Sequence, residues 1–410
     1  MSKNDEVLVA LDIGTTKVVC LVAEKSDDFG LNIKAVGYAP SPSDGLSNGR
    51  IINMPKIVRA IEEAVEKASN YSGYDCLSAY IGIAGEHING IKVHGSVGTN
   101  KTSVVNKNDI ERVISQAVIL NIPSNQQILS QIPMEFRLNG GERIINPINL
   151  RGEKLEVFVH VFTVETNCLN DLCQCVDEAG LAIDNVYLES VASAEAVLSN
   201  AEKQQGVLLL DIGGGTTGMA IYLNGVIHHV HEIAIGGDSL TCDLATALNI
   251  SLESAECLKL THGSCYEDVI PDDYIIEVSS LDNINSVDIG VMSVCQILRR
   301  GIENLFQLVN FELIRSGYDE HVRNVVLTGG SSLLMGIREL GLDIFNKQIR
   351  VGYPMINGSV DEMLNSPIYS TAVGLILYSQ NNLSEFDEHV PRRTNNTGFI
   401  GKVKSFFGAR

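Results

Sequence analysis

Asp12 and Asp211 stand at matching places in two copies of one motif, VLVALDIGTTKVVCLV at 7–22 and GVLLLDIGGGTTGMAIY at 206–222, half a chain apart. In each copy an apolar run leads into the acid, a glycine-containing turn with a Thr-Thr pair follows, and a second apolar run returns. That is the pattern of a β-hairpin with a carboxylate at the end of its first strand. Glycine admits backbone conformations that a Cβ forbids. Gly14, Gly213, Gly214 and Gly215, with Thr15, Thr16, Thr216 and Thr217, therefore predict two loops whose backbone N–H groups wrap an oxyanion closely. Two such loops face to face make a phosphate clamp. Asp12 and Asp211 then suit Mg²⁺ held largely through water, since this ion takes one or two carboxylates plus phosphate oxygens. Lys17 adds a point charge for the phosphates.

Two further elements complete the constellation. The stretch VRNVVLTGGSSLLMGIREL (322–340) reads as a buried strand, then Gly329, Gly330 and Ser331, then a helix of apolar period, so that a flat adenine or ribose lies against bare backbone. Gly236 and Gly237 lie in HEIAIGGDSLTCDLA (231–245), and beyond them Glu256 and Lys259 share one helical face, suited to ribose hydroxyls and the base edge. Together these resemble the ATP site shared by actin, sugar kinases and heat-shock chaperone ATPases. The resemblance implies an α/β, actin-like, two-lobed ATPase fold with ATP and Mg²⁺ as cofactors.

At 410 residues and 45% hydrophobic content the chain has enough apolar surface for two cores. The first lobe core is expected at 1–86 and 164–205, with hairpin strands, a helix at Lys56 to Ser69 and the strand LSAYIGIAG. Between its parts, 87–163 changes character to short glycine-rich strands, one amphipathic helix at Asn108 to Leu120 and hairpin turn signals, which predicts an inserted subdomain. The second lobe core is expected at 206–242 and 311–380, its own insertion at 243–310, and a helix across the interlobe hinge at 366–379. After Ser379 the sequence turns polar and contains Pro391, so 381–397 reads as a flexible linker spanning about 25 Å root-mean-square.

The formal net charge of −20 argues against nucleic acid as the main partner. Nine cysteines without regular pairing point to reduced thiols in a cytosolic chain. Cys168, Cys173 and Cys175 lack the CxxC pairs or histidines of a zinc site and read as small apolar residues of a helix. The N-terminus carries charge and then a short strand, not a signal peptide, and no apolar run reaches the ~18 residues of a membrane span.

The last thirteen residues, GFIGKVKSFFGAR (398–410), place Phe399, Ile400, Val403, Phe406 and Phe407 on one helical arc with Lys402 and Lys404 at its flanks. This is the make-up of an interfacial membrane helix. Arg392, Arg393, Lys402, Lys404 and Arg410 form a basic tail on an acidic body, which points to anionic membrane lipids. One such tail binds weakly and reversibly. Many on one polymer bind far more tightly, through effective concentration.

The nucleotide clamp, the insertion near 87–163 and the C-terminal amphipathic helix together resemble the bacterial FtsA family of cell-division proteins. The resemblance is carried by DIGTTK (12–17), AYIGIAGEHI (79–88), INPINLRGEKLEVFVHVFT (145–163), DIGGGTT (211–217), SAECLK (254–259), LTGGSSLL (327–334) and the tail. It implies a peripheral protein on the cytoplasmic face of the cell membrane at the division septum. There it would polymerise with ATP, tether FtsZ filaments and recruit downstream divisome proteins. The FtsZ C-terminal peptide is expected on the second lobe's insertion, with Arg299 and Arg300 as candidate contacts. One departure concerns Gly218, where many relatives carry Asp. Its absence bears on hydrolysis, so the nucleotide is expected to control assembly more than to turn over rapidly. Glu189, Ser193 and Glu195 are the candidates to position water, and no catalytic residue is assigned. Competing expectations are a small-molecule kinase, a chaperone ATPase, for which the chain beyond the second lobe is short, and a PilM-like scaffold for pilus assembly.

Overall fold

The computed structural model describes residues 7–25, 31–42, 44–99, 104–118, 122–270, 273–279, 286–356 and 364–386. Two five-stranded sheets of the same design carry the chain. The first holds β1 (Val7–Ile13), β2 (Lys17–Lys25), β3 (Leu31–Pro40), β6 (Ser78–Ile83) and β10 (Ala182–Leu188), in the order β10-β6-β1-β2-β3. The second holds β11 (Val207–Ile212), β12 (Thr217–Leu223), β13 (Val226–Ile233), β16 (Asn324–Thr328) and β17 (Gln348–Val351), in the order β13-β12-β11-β16-β17. In each, an antiparallel meander of three strands is extended by two parallel strands next to the first. The duplicated sequence motif is thus the visible part of a duplicated sheet, with β1 corresponding to β11 and β2 to β12.

Burial on both faces explains why these strands are near-continuous apolar runs. The helix α1 (Met54–Ser72) starts with a proline in its first turn and ends at Gly73, at φ +75°. It buries Ile57, Ala60, Ile61, Ala64 and Ala68. Its small residues let its backbone approach β3, where a Cβ on Gly37 would lie 1.8 Å from Ala64 O. The short hairpin β4 (Leu46–Ser47) and β5 (Arg50–Ile51) precedes it.

The insertion is a separate layer with a core of its own. The sheet β7-β9-β8 joins β7 (Ile88–Gly98), β8 (Gln126–Leu138) and β9 (Lys154–Glu165), and α2 (Lys107–Val118) covers it. The chain re-enters the first lobe through α3 (Thr166–Glu178), β10, α4 (Glu189–Val197) and α5 (Asn200–Gln205). In the second lobe α6 (Gly237–Leu248), α7 (Leu252–His262), the hairpin β14 (Ile275–Ser279) and β15 (Ser286–Gly290), and α8 (Val291–Ser316) lie between β13 and β16. The expected insertion limits, 243 and 310, therefore fall inside α6 and α8.

Two sequence expectations differ from the observed course. After Gly329 the chain makes only a 3-10 turn, Gly330–Leu333, and α9 (Ile337–Phe345) begins after a break at Gly336. That glycine is at φ +80° and a Cβ there would lie 2.4 Å from Tyr266 Cβ, so the close approach of Tyr266 interrupts the helix. The second difference is at the chain's far end. Helix α10 (Ser370–Phe386) continues past Ser379 into the stretch expected to be linker. The rest of that stretch and the tail 398–410 with Phe399, Ile400, Lys402, Val403, Lys404, Phe406 and Phe407 lie outside the described residues. No helix among the described residues is long and apolar enough to cross a membrane, and no three or more of their His, Cys, Asp and Glu residues cluster as a metal-binding group.

Candidate nucleotide site

The two hairpin turns meet across the interlobe cleft. A Cβ on Gly214 would lie 2.6 Å from Thr16 Cγ2, and one on Gly215 would lie 2.6 Å from Thr15 Oγ1. The space between them is lined by Gly14, Thr15, Gly82, Glu189 and the turn Gly213 to Thr216. The Gly14 amide donates to Lys17 O at 2.8 Å and the Gly213 amide to Thr216 O at 2.9 Å, so these two glycines close their own turns. The amides of Thr15, Thr16, Gly214 and Gly215 have no backbone acceptor among the described residues and are the donors left for a phosphate.

Asp12 and Asp211 sit at the strand ends beneath the turns. Lys17 Nζ lies 3.1 Å from Asp12 Oδ2. Burial works against the Lys17 ammonium, but Asp12, with Asp211 and Glu189 behind it, holds its pKa above the ordinary lysine value. For Asp211, burial pushes the carboxyl up, the Ser193 hydroxyl pulls it down, and Asp12 adds to the rise. Ser193 donates to Asp211 Oδ2, and Thr371 at the start of α10 donates to the same oxygen at 3.3 Å. Ser193 is therefore an anchor for Asp211 rather than a holder of water. Glu189 stays in the cleft, its pKa raised well above normal by burial and by Asp12 and Asp211. Glu195 does not. It pairs with Lys203 Nζ on the far side of α4, so it is removed from the candidates that position water.

The elements expected to hold the base and ribose form one hydrogen-bonded ring with the second hairpin. Gly213 O accepts from the Gly237 amide at 2.9 Å and from Ser331 Oγ at 2.9 Å. Gly237 O accepts from Lys259 Nζ at 2.9 Å, and Lys259 in turn pairs with Glu256 Oε2 at 2.7 Å. A Cβ on Gly236 would lie 2.4 Å from Gly214 O, and Thr217 Oγ1 donates to Ile235 O at 2.7 Å. Gly329, at φ +80°, leaves room for Asp211, whose Oδ1 would be 2.4 Å from an added Cβ, and Gly330 follows it into the 3-10 turn. Residues far apart in sequence are thus brought to one cleft.

Arg299 and Arg300 lie on α8, away from this cleft. Arg299 Nε donates to Glu303 at 2.8 Å and its guanidinium lies 5.5 Å from the Tyr266 ring centroid, while Arg300 is exposed. The sequence reading missed Glu232, which is buried at the end of β13, accepts from Ser190 Oγ at 3.2 Å, and has a pKa pushed up to about 8 by burial and by Asp211. Its signal is an acid near the end of a strand, the same feature that marks Asp12 and Asp211. A Cβ on Gly218 would lie 2.8 Å from Ser190 Cβ and 3.1 Å from Glu232 Oε1, so a side chain at 218 has no room.

The model of the family "Cell division protein FtsA" matches residues 208–374, and that of the "SHS2 domain inserted in FTSA" matches 85–163. Cell division protein FtsA of Pseudomonas aeruginosa is 36% identical, over 92% of this chain and 90% of its own length. The chain belongs to the FtsA family. FtsA of Bacillus subtilis is 33% identical over 92% of this chain and 84% of its own. The FtsA-type insertion corresponds to the separate β7-β9-β8 layer. Among solved structures the PilM–PilN type IV pilus biogenesis complex is similar at a TM-score of 0.67 and 18% identity, covering 90% of this chain and 98% of that one. MreB5 of Spiroplasma citri bound to ADP is similar at 0.55 and 15%, covering 94% and 99%. At these identities the likeness shows the actin-like fold, while FtsA membership makes the chain a cell-division protein.

The groups on the cleft fit a nucleotide triphosphate with its metal. Two acids at strand ends suit a hydrated hard cation, and unpartnered loop amides with Lys17 suit phosphate oxygens. When bound, Mg²⁺ would supply charge neutralisation between Asp12 and Asp211.

Proposed function

We propose that this FtsA-family chain binds Mg-ATP between its two hairpins, assembles into filaments in that state, and tethers FtsZ filaments to the cytoplasmic face of the cell membrane through residues 398–410. The observation that carries the nucleotide part is the convergence of Asp12, Lys17 and Asp211 beneath two glycine turns that touch across the cleft. MreB5, bound to ADP or to AMPPNP, shares the fold. Thr15, Thr16, Gly214 and Gly215 hold the phosphates, Thr216 and Thr217 shape the second turn, and Glu256, Lys259, Gly237 and Ser331 receive the nucleoside. Recruitment of later division proteins falls to the surfaces of the insertion, and the FtsZ C-terminal peptide to the α6–α8 region with Arg299 and Arg300.

Membrane attachment rests on the apolar arc and basic flanks of the tail. Partial burial of a few phenylalanines, each worth up to about 3 kcal/mol when fully buried, gives weak single-copy binding that assembly multiplies. Flotation with anionic vesicles and Mg-ATP tests the whole reading, comparing the intact chain with Phe406→Glu/Phe407→Glu and with FtsZ added. Support is FtsZ carried upward by the intact chain alone. Flotation without FtsZ favours a different membrane scaffold, and no flotation removes the membrane role.

A further inference from the structure

The row of paired residues Asp211, Gly218 and Glu232 crosses β11, β12 and β13 in register. Residues directly opposite one another in a sheet project to the same face, so the two acids stand on one side with a side-chain-free position between them. Two strand spacings separate them, about 10 Å. The corresponding row of the first lobe, Asp12, Val19 and Tyr38, carries no second acid. Glu232 therefore breaks the duplication of the two lobes.

Glu232 is 5% exposed, and one of its oxygens, Oε1, accepts from Ser190. The other, Oε2, is buried and makes no well-formed hydrogen bond, with the Gly85 amide as the nearby backbone donor to the carboxyl. An unsatisfied buried carboxyl oxygen is costly unless a ligand or water meets it. The carboxyl lines a recess of about 20 Å³, room for one water, together with Glu189, Asp211, Thr216 and Gly218, continuous in its lining with the larger cleft through Glu189, Gly213 and Thr216.

We propose that Glu232 Oε2 holds the water that attacks the terminal phosphate of bound ATP, with Ser190 fixing the carboxyl, which packs over the bare backbone of Gly218. The proposal deepens the nucleotide reading above and rests on it. The water oxygen forms the new bond to the γ-phosphorus as the bond to the bridging oxygen breaks, and its electron pair leaves with ADP. The water is oriented by one hydrogen bond to Glu232 Oε2, and its proton passes to a phosphate oxygen. Glu232 is a positioning residue in this step, which asks little covalent chemistry of the protein.

The test uses the full chain with Mg-ATP and the variants Glu232→Gln, Glu232→Asp and Ser190→Ala, each checked by thermal melting. Glu232→Gln is expected to keep ATP affinity within about threefold and to slow single-turnover phosphate release by about 10-fold, the worth of one orienting hydrogen bond. The same variant should weaken binding of ADP with aluminium fluoride, a mimic of in-line attack, while binding of ADP is kept. Glu232→Asp should recover part of the rate, and Ser190→Ala should lose several-fold. Phosphate release at the unaltered rate in Glu232→Gln, with ATP bound normally, overturns the proposal. An intact chain that binds ATP and releases no phosphate overturns it too, while one that binds no ATP overturns the nucleotide reading and this one together.

Discussion

Lys17 Nζ and Asp12 Oδ2 are 3.1 Å apart at the base of the first hairpin, five residues apart in sequence and joined across the turn. The pair neutralises one of the buried acids before any ligand arrives, and it presents the ammonium toward the place where phosphate charge would gather. Lys17→Ala should therefore weaken ATP binding by about 10-fold to 100-fold, the worth of a hydrogen bond to a charged group. Fluorescence titration with a labelled ATP analogue checks this, and an affinity equal to that of the intact chain would remove Lys17 from the phosphate site.

Helices α4 and α10 touch backbone to backbone at Gly374, where an added Cβ would lie 1.9 Å from Ala192 O. Gly374→Val is expected to destabilise the fold by about 3 kcal/mol or more, since overpacking a close helix contact forces backbone shifts. Urea unfolding followed by circular dichroism measures it. Little change in midpoint would mean that the two helices part without cost.

His160 on β9 is 1% exposed, packs tilted against Phe162 with ring centroids 4.3 Å apart, and has no partner for Nδ1. Burial, with Lys92, His229 and His228 nearby, lowers its pKa from 6.5 to about 3. The folded state thus requires the neutral ring, and its contribution is complete above pH 6.5 and is lost as pH falls toward the folded value. Between pH 7 and pH 5 the loss is about 2 kcal/mol from this residue. Thermal melting across that range should show the decline, and His160→Leu should lessen it by about this amount, with His87 and His228, both lowered to about 4, supplying the rest.

Arg350 on β17 forks onto Glu202 at 2.7 and 2.8 Å and also donates to Val197 O at 2.8 Å. It ties the edge of the second sheet to the end of α4. Burial works against the Glu202 carboxylate, but Arg350 and Ser199 outweigh it and hold the pKa down to about 2. This contribution is present above pH 4.5 and disappears as pH falls through about 2. Because Arg350 is partly exposed, Arg350→Lys should cost about 1 kcal/mol at neutral pH, chiefly by losing the two-pronged geometry. Equal unfolding midpoints for the two proteins would show that the fork adds nothing.

The hairpins were legible in the sequence because each element is local: the apolar runs, the acid and the turn all lie within one short stretch, and the stretch occurs twice. The meeting of Gly213, Gly237, Ser331 and Lys259 was legible only as a set of glycine-rich pieces, since nothing in the spacing says which carbonyl each donor reaches. Glu232 was hidden because its place depends on the register between β12 and β13, which contains a shift at Ile221 and Tyr222. Glu195 was misplaced for a related reason. Its distance along the chain from Glu189 is short, but the turn of α4 sends it to Lys203 instead of the cleft. The break at Gly336 came from a tertiary contact with Tyr266 that helix periodicity does not carry.

Helix α10 starts at Ser370 with Thr371 hydrogen-bonded to Asp211, lies along α4, and runs without a break to Phe386. The segment that follows it contains the tail expected at the lipid surface. One helix therefore joins the acid beneath the second hairpin to the last of the described residues. If the tail is held at a membrane as proposed, a pull on it would reach Asp211 through this helix and through Thr371 and Ser193, the same atoms that the proposed nucleotide would meet.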